Sequence, residues 1–312
     1  MSDRGPRPGP GAAVTVHGAR YPVGVATLLA AGVCLSISGL LVRAIEAADP
    51  WLVLFYRSWA FFFTVLIFVA CRYRGRLATP FRRIGWPGAA VALALGSGFS
   101  LYLLAVFMTT VANVVFTLAA GPFVAALLGW VVLRERVRGA TWLAMVVAFV
   151  GVGVMFADGL GTGRMLGNLV ALGAPLTFSV VVVAIRHAGE VDMMPATCLA
   201  GLVAVLIALP MVDGFAISAN DLVLSILLGS AQIGAGFILV TLGSRHVPAA
   251  EVPLFALSET ALAPLWVWLF VAEVPTAATL VGGAILMATV LAHGFASVWR
   301  ERARAARARP TA

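Results

Sequence analysis

The chain has 312 residues, 21 basic and 13 acidic, for a net charge of +8, with 62% apolar and only 11% charged residues and a mean hydropathy of +1.02. A soluble domain carries about 25% charged residues, so the composition excludes two ordinary soluble domains. The basic excess lies in loops and tails with no basic groove, which excludes a nucleic-acid binder and leaves topology signalling and attraction to anionic lipid heads.

A crossing helix needs about 20 mainly apolar residues. Residues 1–21 are polar and rich in Gly and Pro, and read as a disordered cytoplasmic segment without a cleavable signal. Ten apolar runs follow. The first is 22–42. The second, 51–71, places Arg57 about 9 Å below its outer end at 1.5 Å per residue. Arg57 snorkels outward, locks helices through an ion pair, or meets substrate. Trp59 on the same run lines a cavity or packs in the core. The third run, 86–108, presents Gly88, Ala92, Gly96 and Ser100 every four residues, a stripe that lets a neighbour approach closely, and then Tyr102, a candidate cavity residue.

Only Thr109, Thr110 and Val111 separate the third run from the fourth, 112–133. The fourth carries Asn113, a second candidate cavity residue, and Pro122. A proline inside a helix frees the carbonyl four residues earlier, here that of Leu118, so a helix break is expected. The fifth run is 140–157. Gly159–Arg164 looks faintly like a nucleotide loop but lacks the third glycine and a preceding soluble strand, so residues 158–166 read as an extracytoplasmic linker. The sixth, seventh and eighth runs are 167–185, 196–212 and 222–243, the eighth with Gln232 as a candidate cavity residue and Ser230 and Gly234 as a weaker small pair. The ninth, 249–271, carries Glu259 about 15 Å deep, where a carboxylate faces a wet cavity, holds a proton or meets a cation; pairing with Arg57 is one alternative. It also holds Trp266, which lines a cavity or packs, and Pro264, a second expected helix break. The tenth run is 276–298, and the basic tail 299–312 is expected along the inner surface.

With ten spans and a cytoplasmic N-terminus, eighteen of the 21 basic residues, all arginines, fall in inner segments and only Arg43 and Arg164 in outer ones. This predicts a multi-pass protein of the cytoplasmic membrane with both termini cytoplasmic. Gly129–Glu135 and Val267–Glu273 close their runs alike, 138 positions apart, and Gly24–Arg43 matches Gly167–Arg186 at a spacing of 143. The prediction is an all-α integral membrane protein with two five-helix repeats, 22–157 and 167–298, inverted because five is odd. Cys34, Cys71 and Cys198 have no paired spacing and the four histidines sit near span ends, so no disulfide, metal, cofactor or catalytic residue is expected.

Phe55-Tyr56-Arg57-Ser58-Trp59-Ala60, Thr109-Thr110-Val111-Ala112-Asn113 with Gly121-Pro122-Phe123 and Leu133-Arg134-Glu135-Arg136, and Val247-Pro248-Ala249-Ala250-Glu251 with Leu262-Ala263-Pro264-Leu265, Ala272-Glu273 and Gly282-Gly283-Ala284 carry a family likeness. Over residues 24–294 the chain resembles the drug/metabolite transporter superfamily, in particular its ten-helix exporters built from two EamA-type repeats. The family often has Glu-Pro where this chain has Glu259-Thr260, which leaves the position of the ninth-span break open. The resemblance implies a secondary transporter that exports amino acids, amines or related small metabolites by alternating access. On a zwitterionic small-molecule substrate Arg57 would meet the carboxylate and Glu259 the ammonium, with Tyr102, Asn113 and Gln232 adding directional bonds; Glu259 could instead carry a coupling proton. The alternatives are a channel or scramblase-like facilitator and, with least support, a lipid-modifying enzyme. No lysine exists to build an ATP-binding phosphate loop. The bilayer is the other expected partner, and a monomer fits.

Overall fold

The computed structural model describes residues 20–109, 111–155, 165–271 and 275–307. The N-terminal segment up to residue 19, most of the 158–166 linker with the Gly159–Arg164 turn, Glu273 and the last five residues of the basic tail lie outside the described residues. The described residues fold as helices and connecting turns in chain order: α1 (Tyr21–Ser36) with α2 (Ser38–Arg43), α3 (Pro50–Arg72), the short α4 (Ala78–Arg83), α5 (Gly85–Met108), α6 (Val111–Leu118) with α7 (Gly121–Leu133), and α8 (Gly139–Met155). The second half continues with α9 (Met165–Ala171) and α10 (Gly173–His187), α11 (Met194–Ala208), α12 (Ala219–Leu227) and α13 (Ala235–Gly243), α14 (Glu251–Ala256) and α15 (Ser258–Val271), and α16 (Ala277–Arg307). Among the described residues nine helical stretches are long and apolar enough to cross a bilayer, and α8 is a shorter apolar tenth. Thr109 is fully extended between α5 and α6, so the third and fourth spans are separate.

Local chemistry sets several ends. Asp49 caps α3, its carboxylate accepting from the Trp51 and Leu52 amides at 2.8 and 3.4 Å, with Pro50 at the first position, where no amide is missed. Ser218 caps α12 by accepting from the Asp221 amide at 3.1 Å. Arg134 takes a left-handed conformation (φ 56°) and ends α7. Ile67, Leu93, Leu143, Leu206, Leu269 and Phe295 project outward and exposed, a belt that suits lipid rather than water.

Most of the packing runs between the two halves. α5 packs on α10 and α11; its counterpart, the eighth span, packs on α1 and α3; α7 packs on α10, and α15 on α1; α8 pairs with α16, and α3 with α11. Exchanging each span for the one five later therefore returns the same pattern, as a two-fold axis in the membrane plane produces. One core gathers Leu54, Phe61, Leu95, Val181, Met194 and Ile233. The other gathers Leu28, Val152, Val182, Leu254, Phe255 and Leu286. The sixth span serves both. Gly96-Ser97-Gly98-Phe99 and Gly234-Ala235-Gly236-Phe237, again 138 positions apart, make the close approaches. A Cβ on Gly96 would lie 2.7 Å from the Ala200 carbonyl oxygen, and one on Gly234 3.0 Å from Thr64 Cγ2. The stripe read from the sequence does pack, mainly through Gly96, whereas Gly88 faces Ile84 of its own helix turn.

Four spans are interrupted. In the fourth, α6 stops at Leu118 and Pro122 sits in the first turn of α7, as expected from the freed carbonyl. In the ninth, Pro264 lies inside continuous α15 and the interruption is at Leu257. There the ladder tightens: the Thr260 amide bonds the Leu257 carbonyl at 3.0 Å, a three-residue step that misaligns the helices on either side. The first span breaks at Ile37 and the sixth at Leu172. The eighth does not break but widens into a π-helical turn over Leu228–Gly234. The basic tail is not a separate surface helix up to Arg307: α16 runs on unbroken, because no Gly, Pro or cap intervenes after Val298 and Ala, Arg and Glu are strong helix formers.

Candidate functional site

Ion pairs set apart one end of the bundle. Asp192 binds Arg72 at 3.1 Å and Arg245 at 2.8 Å and accepts from the Tyr73 hydroxyl at 2.8 Å; burial first, then this bond, pushes the Tyr73 hydroxyl up from its ordinary range. Arg186 binds Glu135 and also donates to the Val247 carbonyl, while Glu135 accepts from the Ala249 amide at 3.1 Å. Arg138 binds Glu301 at 3.3 Å, and His293 faces Glu251 at 3.4 Å. All of these lie at the end where the arginine-rich loops gather. The opposite end, among the described residues, is tied by neutral bonds and by Asp221, which accepts from the amides of Glu46, Ala47 and Ala48 at 3.0–3.3 Å.

Between the ends lie the two charged residues singled out inside spans. Arg57, on α3, and Glu259, in the first turn of α15, are each half-buried, and among the described residues neither has an ion-pair partner. They therefore do not form the fixed pair that would lock the helices. Tyr102, on α5, is within electrostatic reach of both. Arg57 and Tyr102 belong to spans of the first core and Glu259 to a span of the second. The Arg57 guanidinium carbon sits 5.9 Å from the centre of the Phe99 ring, within cation–π range. Phe99 packs edge-on against Phe61 at 5.4 Å and Phe237 at 5.3 Å, and Phe178 joins Phe237 at 6.2 Å. Four spans thus build an aromatic floor, and the equivalent residues Phe99 and Phe237 touch at the two-fold axis.

The other expected residues divide. Gln232 lies in the π turn, where its Nε2 donates to the Leu35 carbonyl at 3.0 Å and so caps the broken first span; its Oε1 has no partner. Trp266 donates from Nε1 to Ser36 Oγ at 2.7 Å, pinning the ninth span to the same break. Trp59 stacks on Phe63 at 5.6 Å and meets Phe55 and Phe62, in an aromatic cluster of its own helix. Asn113 is displaced toward the opposite end, where it donates to Thr109 Oγ1 at 2.9 Å, and that hydroxyl donates to Asn168 at 2.6 Å.

The sequence reasoning missed the aromatic floor, the orphaned hydroxyls and the Glu251–His293 pair. Ser58 Oγ and Ser258 Oγ, next in sequence to Arg57 and Glu259, are buried without a partner; each costs free energy unless a water or a ligand meets it. The Gly-x-Gly-Phe duplication was the available signal for the floor. No comparable signal marks His293, which looks like an ordinary residue near a span end. The described residues hold no cluster suited to a metal ion.

Three comparisons bear on this arrangement. Residues 22–157 match the EamA-like transporter family. A Bacillus subtilis (strain 168) protein described as the uncharacterized transporter YwfM is 26% identical over 229 residues, covering 71% of this chain and 77% of the relative. A solved crystal structure superposes with a TM-score of 0.75 over 90% of this chain and 99% of its own, at 17% identity, a likeness of fold.

Proposed function

We propose, for a multi-pass membrane transporter that belongs to the drug/metabolite transporter superfamily and whose first half is EamA-like, that it exports amino acids or related small metabolites across the cytoplasmic membrane by alternating access. The observation that carries this is Arg57 and Glu259: opposite charges, unpaired among the described residues, on different packing bodies, with Tyr102 in reach of both. Charges at membrane depth without partners are costly, and a ligand bearing a carboxylate and an ammonium satisfies both. The Phe99–Phe237 floor then supports its apolar part. Coupling two bodies through one ligand is what lets its binding bias their relative position. The arginine-rich end is the cytoplasmic one, and both termini lie there.

The test is a thermal-stability screen of purified protein against an amino-acid panel, followed by counterflow of any stabilising compound in proteoliposomes. Charge-assisted bonds contribute about 1.5–3 kcal/mol, so Arg57→Gln and Glu259→Gln should each weaken binding roughly ten- to a hundredfold. Unchanged binding and counterflow in both variants would remove these residues from the site. Saturable counterflow separates this carrier from a pore.

A further inference from the structure

Glu251 begins α14, the six-residue helix between the Leu257 interruption and the eighth-to-ninth loop gripped by Arg186 and Glu135. It is 3% exposed, and every group around it is equally enclosed: Tyr21 at 1%, Thr141 at 2% and His293 at 6%. The Tyr21 hydroxyl donates to Oε2 at 2.6 Å, the Thr141 hydroxyl to Oε1 at 3.3 Å, and His293 Nε2 lies 3.4 Å from Oε1. The first, fifth, ninth and tenth spans thus converge on one carboxylate. A buried carboxylate needs a counter-charge, or it persists only at high cost. Arg138, bonded to Glu301 at 3.3 Å, acts on Glu251 through space, and the imidazole is the basic group in contact with it.

The equivalent position at the other end has different chemistry. Counting back 138 positions, Glu251 corresponds to Asn113 and His293 to Met155. Asn113 likewise lies in the first turn of a short helical piece, α6, and donates to Thr109, which donates to Asn168. Of the two equivalent positions, the one at the arginine-rich end carries the carboxylate and the imidazole.

Building on the alternating-access reading above, we propose that Glu251 and His293 form a proton-binding latch: one proton held between carboxylate and imidazole keeps α14 against the first, fifth and tenth spans and the cytoplasmic end closed, and its release frees α14 to swing about Leu257. The proton leaves the imidazole and goes to the cytoplasmic water that enters on opening; no other bond changes. Because the closed state holds the proton and the open state does not, closure strengthens as pH falls and weakens as pH rises. The other charged and titratable groups facing α14 are Tyr21, Arg138 with Glu301, Arg300 through Ser297, and the Glu135–Arg186 pair. Nearby His246 is held below the ordinary imidazole range by burial first and then by Arg20, Arg245 and Arg186. Since α14 leads directly into Ser258 and Glu259, its swing reaches the proposed substrate site.

Spin labels at exposed Arg136 and Glu190, on the two loops flanking the Glu135–Arg186 clamp, report the state of this end in a cysteine-free background in lipid nanodiscs. The expected result is a shift from short to long distance between pH 5.5 and 8.5. Glu251→Gln and His293→Gln should each flatten that response, while Tyr21→Phe, which removes a bond and keeps the proton site, should move its midpoint and preserve it. A pH response of wild-type size in both Glu251→Gln and His293→Gln, or one of opposite sign in the unsubstituted protein, overturns the latch. Two distances populated independently of pH also overturn it and leave alternating access standing; a single distance at every pH overturns both.

Discussion

A guanidinium over an aromatic face is stabilised without being neutralised, which keeps Arg57 charged and available. Phe99 carries that interaction and two ring contacts, with Phe61 and Phe237, so its loss opens a cavity as well. Phe99→Ala should cost about 3–5 kcal/mol, and the Phe99→Ala/Phe237→Ala pair should cost less than the sum of the single changes because the rings touch. Melting temperatures in detergent check both statements; full additivity would mean that the rings do not share a site. The placement of Arg57 and Glu259 inside apolar spans was legible in the sequence, where charge at membrane depth is rare. The aromatic floor beneath Arg57 was not, since Phe99 and Phe237 are ordinary membrane residues whose meaning comes only from which helices meet.

At the scale of the helix, small residues decide how closely spans approach. A Cβ on Gly96 meets the Ala200 carbonyl oxygen at 2.7 Å, a backbone atom that cannot rotate away. Gly96→Ala should therefore cost about 1–3 kcal/mol through overpacking. Gly139, at the start of α8, faces open space, and a Cβ there would meet no atom within 4 Å, so Gly139→Ala should leave the melting temperature unchanged or slightly higher. Equal effects of the two substitutions would show that the third and seventh spans are not in close contact. Hydropathy made the ten runs legible, and Pro122 marked the fourth-span interruption. Pro264 misled because a proline is tolerated where a helix can bend around one missing bond, whereas the break at Leu257 arises from a three-residue hydrogen-bond step with no sequence signature. The break at Ile37 likewise has no proline to mark it, whereas Pro175, in the first turn of α10, marks the sixth-span interruption at Leu172.

For the whole molecule, the gathering of ion pairs at the arginine-rich end gives a direct test of orientation. Single cysteines at Gly214 and Arg136 lie in loops of opposite ends. An impermeant thiol reagent on intact cells should modify the first and reach the second only after permeabilisation; the reverse pattern would invert the assignment. The duplicated spacing made the pseudo-symmetry legible, but not the fact that the halves interlock rather than sit side by side. That interlocking bears on biosynthesis. As the chain leaves the ribosome, the first span enters the bilayer well before its partners on α13 and α15 have been translated. The third span likewise waits for the sixth and seventh. Early helices must therefore persist as lone, lipid-solvated rods, and the native contacts form only when the second half threads between them, so assembly is a late event that no N-terminal fragment can complete.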